Sequence, residues 1–227
     1  RFASIRTTSF QLEHHGESIS AEANLTFENE NTTALDRYFL SLNPSLEVKK
    51  VSSSGRELQF ERDFNIISII PASPLTPGKT DSLEIEYEGT INESFCYPDR
   101  TDKLRDDEYR IEMLSVGKRQ AFVTGEYVLL TPETHWYPVA GLNHYPSNPA
   151  RGRVDFIRFT LRATTSAPGM VVVSQGKMEK DGDTFCYSPP SQLTGLTVAI
   201  GDYRSESLTV DSVEFITWYY PGHDYYK

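Results

Sequence analysis

Histidine is the first residue type to weigh, because imidazoles set by a helix or a strand can hold a catalytic metal. The five histidines stand at 14, 15, 135, 144 and 223. No two are four apart, so the His-Glu-x-x-His pattern, which puts two imidazoles on one helical face around zinc, is absent. Glu133 and His135 are two apart and would share a face of a strand, with His144 following. That trio could hold a zinc with an open position and act as a hydrolase. The plainer reading is a set of surface or loop residues around Trp136-Tyr137-Pro138. His14 and His15 are adjacent, point to opposite faces of a strand, and would not ligate together.

Nucleophilic chemistry has less to build on. There is no Gly-x-Ser-x-Gly elbow, and Ser52-Ser53-Ser54-Gly55 reads as a turn. Cys96 and Cys186 are the two cysteines, too few for a disulfide scaffold or a four-cysteine zinc site. Whether they pair stays open, since separation in sequence says nothing of geometry. Asp106, Asp107 and Glu108 crowd together, but neighbouring acids on a loop are ordinarily just hydrated. Glycosidase chemistry needs two carboxylates held about 5–9 Å apart across a cleft. Asp181-Gly182-Asp183 lacks the later Glu of a calcium loop and reads as a hairpin turn. The aromatic runs Trp136-Tyr137 and Trp218-Tyr219-Tyr220, with Tyr225-Tyr226, read as core and interface packing. The rival reading is a carbohydrate-binding or adhesive β-sandwich that shows Trp136 or Trp218 to a sugar.

These residues must be carried by strands, because the dominant period is two. Ala21, Ala23, Leu25 and Phe27 alternate with Glu22, Asn24 and Thr26. Leu83, Ile85 and Tyr87 alternate with Glu84 and Glu86, and residues 154–162 continue the pattern. Such strands bury one face and wet the other. Turn chemistry punctuates them at Asn43-Pro44, Ser53-Ser54-Gly55, Thr76-Pro77-Gly78, Ala167-Pro168-Gly169 and Asp181-Gly182-Asp183. No long capped amphipathic helix is encoded, so one or two short helical turns are expected. The fold expected is all-β: multi-stranded antiparallel sheets, saddle-like or sandwich. The chain reads as a single β domain over 1–227. Its two halves, about 1–95 and 111–227, are joined by a charged loop at 97–110, where mixed-sign charges predict a solvated segment.

Composition sets the outer bounds. The chain has 227 residues, and 22 basic against 32 acidic side chains leave a net charge of −10. That balance speaks against a nucleic-acid binder, which needs clustered Lys and Arg, and against docking on an anionic membrane. With 13 Tyr, 12 Phe and 2 Trp, the chain is too aromatic for a disordered polypeptide. No apolar run approaches the roughly 20 residues of a membrane span. The opening on Arg1 and the close on Lys227, behind an aromatic run, read as cuts in a longer protein.

Several segments, in order, resemble a family pattern. They are Trp136-Tyr137-Pro138, then Asn148-Pro149 leading into Val154-Asp155-Phe156. Next come Ala167-Pro168-Gly169 with Ser174-Gln175-Gly176, and Ser188-Pro189-Pro190 running into Val198-Ala199-Ile200-Gly201-Asp202-Tyr203. In front of them stand Leu42-Asn43-Pro44, Pro74-Leu75-Thr76-Pro77-Gly78, and Leu83 to Gly89. Together these resemble the amino-terminal β domain of the aminopeptidase N-like zinc metallopeptidases, over nearly the whole chain. The variant at Thr131-Pro132-Glu133 looks nearest to a bacterial branch joined to an ABC-type permease.

The resemblance implies a non-catalytic domain that forms one wall of a peptide-substrate cleft and packs on a separate zinc domain. Zinc and the catalytic Glu would belong to that missing carboxy-terminal domain, so no metal or catalytic residue is expected here. The parent would be a zinc aminopeptidase. Its location would be extracytoplasmic, periplasmic or membrane-tethered, with membrane contact only through parent segments. The family's Cys-x-Asp-Glu-Pro is replaced here, and its substrate-binding Gln has no clear counterpart. Thr131 and Glu133 fall at that place and are the substrate-cleft candidates. Trp218, Tyr219, Tyr220 and Tyr225 are the interdomain candidates.

Overall fold

The computed structural model describes residues 2–96, 110–111, 116–117, 121–141 and 155–222. Along the first part of the chain run β1 (Ser4–His15), β2 (Ser18–Glu28), β3 (Tyr38–Ser41), β4 (Leu46–Ser53), β5 (Arg56–Glu57), β6 (Phe60–Asp63), β7 (Ile66–Ile69) and β8 (Thr80–Gly89). Then follow β9 (Arg110–Ile111), β10 (Val116–Gly117), β11 (Ala121–Val123), β12 (Tyr127–Leu130) and β13 (Val139–Ala140). The last are β14 (Arg158–Thr165), β15 (Val171–Ser174), β16 (Lys177–Asp181), β17 (Thr184–Ser188), β18 (Val198–Gly201), β19 (Arg204–Val210) and β20 (Val213–Tyr219). The helical content among the described residues is two short 3-10 turns, Glu93–Cys96 and Pro132–Thr134. The all-β reading therefore holds.

The largest sheet has eight strands in the order β16-β17-β14-β1-β2-β8-β4-β5. It mixes strands from both halves of the chain. Its pairs are antiparallel except at the centre, where β1 and β14 run parallel, from Thr7 beside Arg158 to His14 beside Thr165. This parallel pair departs from the expected all-antiparallel arrangement. Period-two patterning says which face a strand buries but not the direction of its neighbour, so nothing in either strand announced it. Two four-stranded sheets, β13-β3-β7-β6 and β11-β12-β18-β15, and the two-stranded pairs β9-β10 and β19-β20 complete the described strands.

The inner face of the large sheet makes the core. Phe10, Leu12, Ala23, Leu25, Leu83, Ile85, Tyr87, Phe159 and Leu161 are all buried. Their neighbours Glu22, Glu84, Glu86, Arg158 and Arg162 face water, as strict alternation requires. Residues 135–138 lie across this face. Trp136 and Tyr137 meet edge to face at 4.8 Å, and both rings contact Phe10, at 5.2 and 5.3 Å. The Trp136 indole N–H donates to the Leu196 carbonyl at 3.0 Å.

Two side chains tie sheets and loops together. His14 is buried at the end of β1. Its Nε2 lies 2.6 Å from the Gly16 carbonyl and 3.0 Å from the Thr124 carbonyl, so that nitrogen carries the proton. The Thr165 hydroxyl then donates to Nδ1 at 2.9 Å. His15, its neighbour, is exposed, as alternation predicts. Asn43 plays the second knot. Its Nδ2 donates to the carbonyls of Thr134 (2.9 Å) and Asn92 (3.1 Å), and its Oδ1 accepts from the amides of Asn92 (2.9 Å) and Ser45 (3.1 Å). The turn Pro132–Thr134 is thereby held against the loop after β3.

Candidate functional site

Thr131 and Glu133 lie on the chain that leaves β12 and enters the 3-10 turn Pro132–Thr134. Pro132 favours the turn because its ring presets φ and its missing N–H is not needed at a helical start. Thr131 precedes it in extended conformation, φ −103 and ψ 155. The Thr134 hydroxyl donates to the Thr131 carbonyl at 2.7 Å, and the His135 amide to the Pro132 carbonyl at 3.0 Å. His135 ends the turn in the left-handed region, φ 49 and ψ 47. Glu133 projects to solvent and Thr131 is half-buried, so both cleft candidates sit on an accessible edge.

The turn corrects the reading of Glu133 and His135 as a shared face. That reading needs a strand, whereas a 3-10 turn followed by a left-handed residue sends the two side chains apart. Glu133 is exposed, and His135 is 7% exposed. The His135 Nδ1 meets the Ser41 hydroxyl at 2.7 Å, and Asn65 Nδ2 donates to that same Ser41 oxygen at 2.8 Å. With its oxygen accepting from Asn65, the Ser41 hydroxyl proton is directed to Nδ1. Phe95 packs edge-on to the imidazole at 5.3 Å and to Phe64 at 6.1 Å. His144 lies outside the described residues. Among the described residues, no cluster of three His, Cys, Asp or Glu side chains could hold a metal ion. Glu133 and His135, one exposed and one buried, do not converge on a shared zinc position.

Ser41, Asn65 and Phe95 were not among the residues that sequence reasoning selected. They are polar or aromatic residues of ordinary type, and Ser41 lies 94 positions from the imidazole it meets. Arg62 is a further surprise in this region. Its Nε donates to the Phe64 carbonyl (2.7 Å) and its Nη2 to those of Leu42 (3.1 Å) and Asn43 (2.8 Å), while Nη1 is buried without a partner. Burial lowers its pKa. Just after the turn, the Tyr137 phenol is pushed up to about 12, chiefly by burial, with the Glu133 charge adding to it.

The aromatic candidates divide. Trp136 and Tyr137 are 0% and 1% exposed, so neither ring offers a face to a sugar. Trp218, Tyr219 and Tyr220 are half-buried at the root of the β19-β20 hairpin. The Tyr220 hydroxyl donates to the Glu126 carbonyl at 2.7 Å, and its ring meets Tyr203 at 5.3 Å. Tyr225 lies outside the described residues. Cys186 is a free thiol on β17.

The exposed apolar surface lies farther out on the hairpin than sequence reasoning placed it. Leu208 pairs with Phe215 and Val210 with Val213, all on one face, with exposures of 65%, 58%, 48% and 54%. Ile216 is exposed on the other face. The signal was legible: apolar residues alternate on both sides of Asp211-Ser212, whose φ values of 48 and 66 make the tight turn.

Sheets of this order, with 3-10 turns in place of α-helices, form an all-β fold of a kind found within zinc metallopeptidases. The chain is similar to the M1 zinc metallopeptidase from Deinococcus radiodurans, with a TM-score of 0.66 and 16% identity over 92% of this chain. A substituted form of that enzyme bound to a Tyr-Ser-Ala substrate gives 0.65 at 14% identity over 96%. A two-domain M1 zinc metallopeptidase bound to L-arginine gives 0.66 at 15% identity over 96%. At these identities the likeness is one of fold. The chain spans less than half of those structures: 44%, 47% and 47% of their lengths. No protein-family model matches the sequence, and no curated protein matches it.

Proposed function

We propose that this chain is the amino-terminal, non-catalytic β domain of a two-domain M1-type zinc metallopeptidase. The observation that carries the reading is the fold likeness that takes in nearly all of this chain and less than half of a two-domain enzyme. In this reading Thr131 and Glu133, on the accessible turn after β12, line one wall of a peptide cleft. The apolar hairpin β19-β20 is where the zinc domain packs. A two-stranded hairpin with five exposed apolar side chains is marginal by itself in water, which favours a partner there. Zinc, its ligands and the water-activating Glu belong to that other domain. Junction to an ABC-type permease and an extracytoplasmic location belong to the proposal through the sequence resemblance. No helix among the described residues is long and apolar enough to cross a membrane.

The test is the coding sequence beyond Lys227 and the activity of its product. The reading requires His-Glu-x-x-His with a further Glu downstream, and aminopeptidase activity in the intact parent that a chelator abolishes and zinc restores. Glu133→Ala in that parent should raise KM for short peptides several-fold while metal content stays unchanged. A continuation without those ligands, or a parent whose peptidase activity survives complete metal removal, would sink it.

A further inference from the structure

A polar cleft of about 420 Å³ opens beside the β4-β5 edge of the large sheet, lined by none of the residues of the Thr131–Glu133 turn. One wall is the β4-β5 hairpin, with Ser53, Ser54 and Arg56. The other is the loop after β7, with Ser73 and Pro74, and Tyr38 and Asp81 also line the space. The tight turn Ser54-Gly55, with φ of 50 and 74, sets Ser54 and Arg56 at the rim.

The acceptor in this cleft is already engaged. Asp81 Oδ1 accepts from the Ser53 hydroxyl at 3.1 Å and the Ser82 amide at 2.7 Å, and Oδ2 accepts from the Tyr38 hydroxyl at 2.8 Å. Burial and then this carboxylate hold the Tyr38 phenol far above its ordinary range, so it remains a donor. The donors at the rim are in the opposite condition. Arg56 forms no ion pair, and the side chains of Ser54 and Ser73 form no hydrogen bond, among the described residues. Asp81 lines the same cleft, yet no ion pair joins it to Arg56. What the cleft has left to offer is a planar fork of N–H groups and the rotatable hydroxyls of Ser54, Ser73 and Thr80. A ligand that satisfies them is rich in acceptors and negatively charged.

We propose that this cleft binds a small oxyanion, a carboxylate or phosphate group, on Arg56, with Ser54 and Ser73 as supporting donors. The inference is independent of the peptidase reading, because no residue of the cleft belongs to the Thr131–Glu133 turn or to the hairpin.

Isothermal titration of the protein with inorganic phosphate, with succinate and with glucose tests it. Saturable one-to-one binding of phosphate or succinate is expected, and whichever anion binds identifies the group as phosphoryl or carboxylate. Arg56→Gln should weaken binding at least about tenfold, Arg56→Lys should recover part of it, and the Ser54→Ala, Ser73→Ala double variant should weaken it about threefold. Arg56 is exposed, so these changes leave folding intact, which circular dichroism would confirm. The proposal is overturned by no saturable heat with either anion, by equal binding to wild type and R56Q, or by glucose binding in place of the anions.

Discussion

At the scale of single residues, buried polar groups carry more of the outcome than the charged surface does. The exposed ion pairs, such as Lys49 with Glu47 and Glu88, sit in water and contribute little. Asn43 is different, because four backbone groups depend on one buried amide. Asn43→Ala leaves three of them without partners, the Asn92 carbonyl still accepting from the Phe95 amide at 3.3 Å, and should cost roughly 3–5 kcal/mol in denaturant unfolding. Asn43→Asp preserves the shape but turns a carboxylate oxygen toward the Thr134 and Asn92 carbonyls. It should be at least as damaging at neutral pH and partly relieved in acid, where protonation restores a donor. The two tryptophans should report separately. Iodide should quench Trp218, which is half-buried, while Trp136 emission stays unquenched. Equal quenching of both would show that the Trp136-Tyr137 segment does not lie on the sheet as described.

The phenols give the pH dependence at this same scale. Burial pushes Tyr137 and Tyr187 up to about 12, from the ordinary value of 10.0. The folded form therefore holds protons that the unfolded chain releases. Stability from these groups is complete below about pH 10 and is lost as pH rises from there through about 12. An alkaline unfolding midpoint in that window, with phenolate absorbance rising at the same pH, is the expected result. Ionisation of every tyrosine well before unfolding would contradict it.

At the scale of elements, backbone geometry decides what alternation leaves open. Gly89 ends β8 at φ +140, and a Cβ there would stand 2.3 Å from the Ser45 carbonyl oxygen. Gly89→Ala should shift the pairing of β8 with β4 and lower the unfolding free energy by at least about 2 kcal/mol. The thermal midpoint of the variant measures this. The strands were legible because apolar residues recur every second position, and turns such as Asp181-Gly182 were legible because glycine accepts positive φ. The facing of Glu133 and His135 was not legible. A strand, a 3-10 turn and a left-handed residue are equally compatible with Pro-Glu-Thr-His, and the choice is made by contacts from Ser41 and Asn43, which are remote in sequence. The interdomain candidates Trp218, Tyr219 and Tyr220 sit half-buried at the root of the hairpin, while the exposed apolar residues lie nearer its tip. The Trp-Tyr-Tyr run drew attention, while Leu208, Val210, Val213 and Phe215, nearer the tip, are those left exposed.

At the scale of the whole molecule, the hairpin is the feature that an isolated chain tolerates least. Expressed alone, the chain should bind an apolar dye and self-associate through the face that bears Leu208, Val210, Val213 and Phe215. The Leu208→Lys, Phe215→Glu double variant, which places opposite charges across the strand pair, should abolish both effects and leave the thermal midpoint nearly unchanged, since exposed side chains change stability by only about 0.5 kcal/mol. On the proposed reading of the chain as one domain of a larger peptidase, the same variant should lower that enzyme's activity by loosening its two domains. Unchanged activity would place the domain contact elsewhere.

The parallel pair at the centre of the large sheet reaches beyond the finished structure, into how the chain is made. β1 can pair with β2 as soon as both have emerged, but its other edge waits for β14, and His14 meets Thr165 across 151 positions. At about 5–20 residues per second of synthesis, that edge stays open for on the order of 10–30 s. During this interval a strand with one apolar face presents unpaired amides and carbonyls to every other nascent chain nearby. Yield in the cell should therefore depend on holding chaperones and on translation speed more than on the stability of the folded protein.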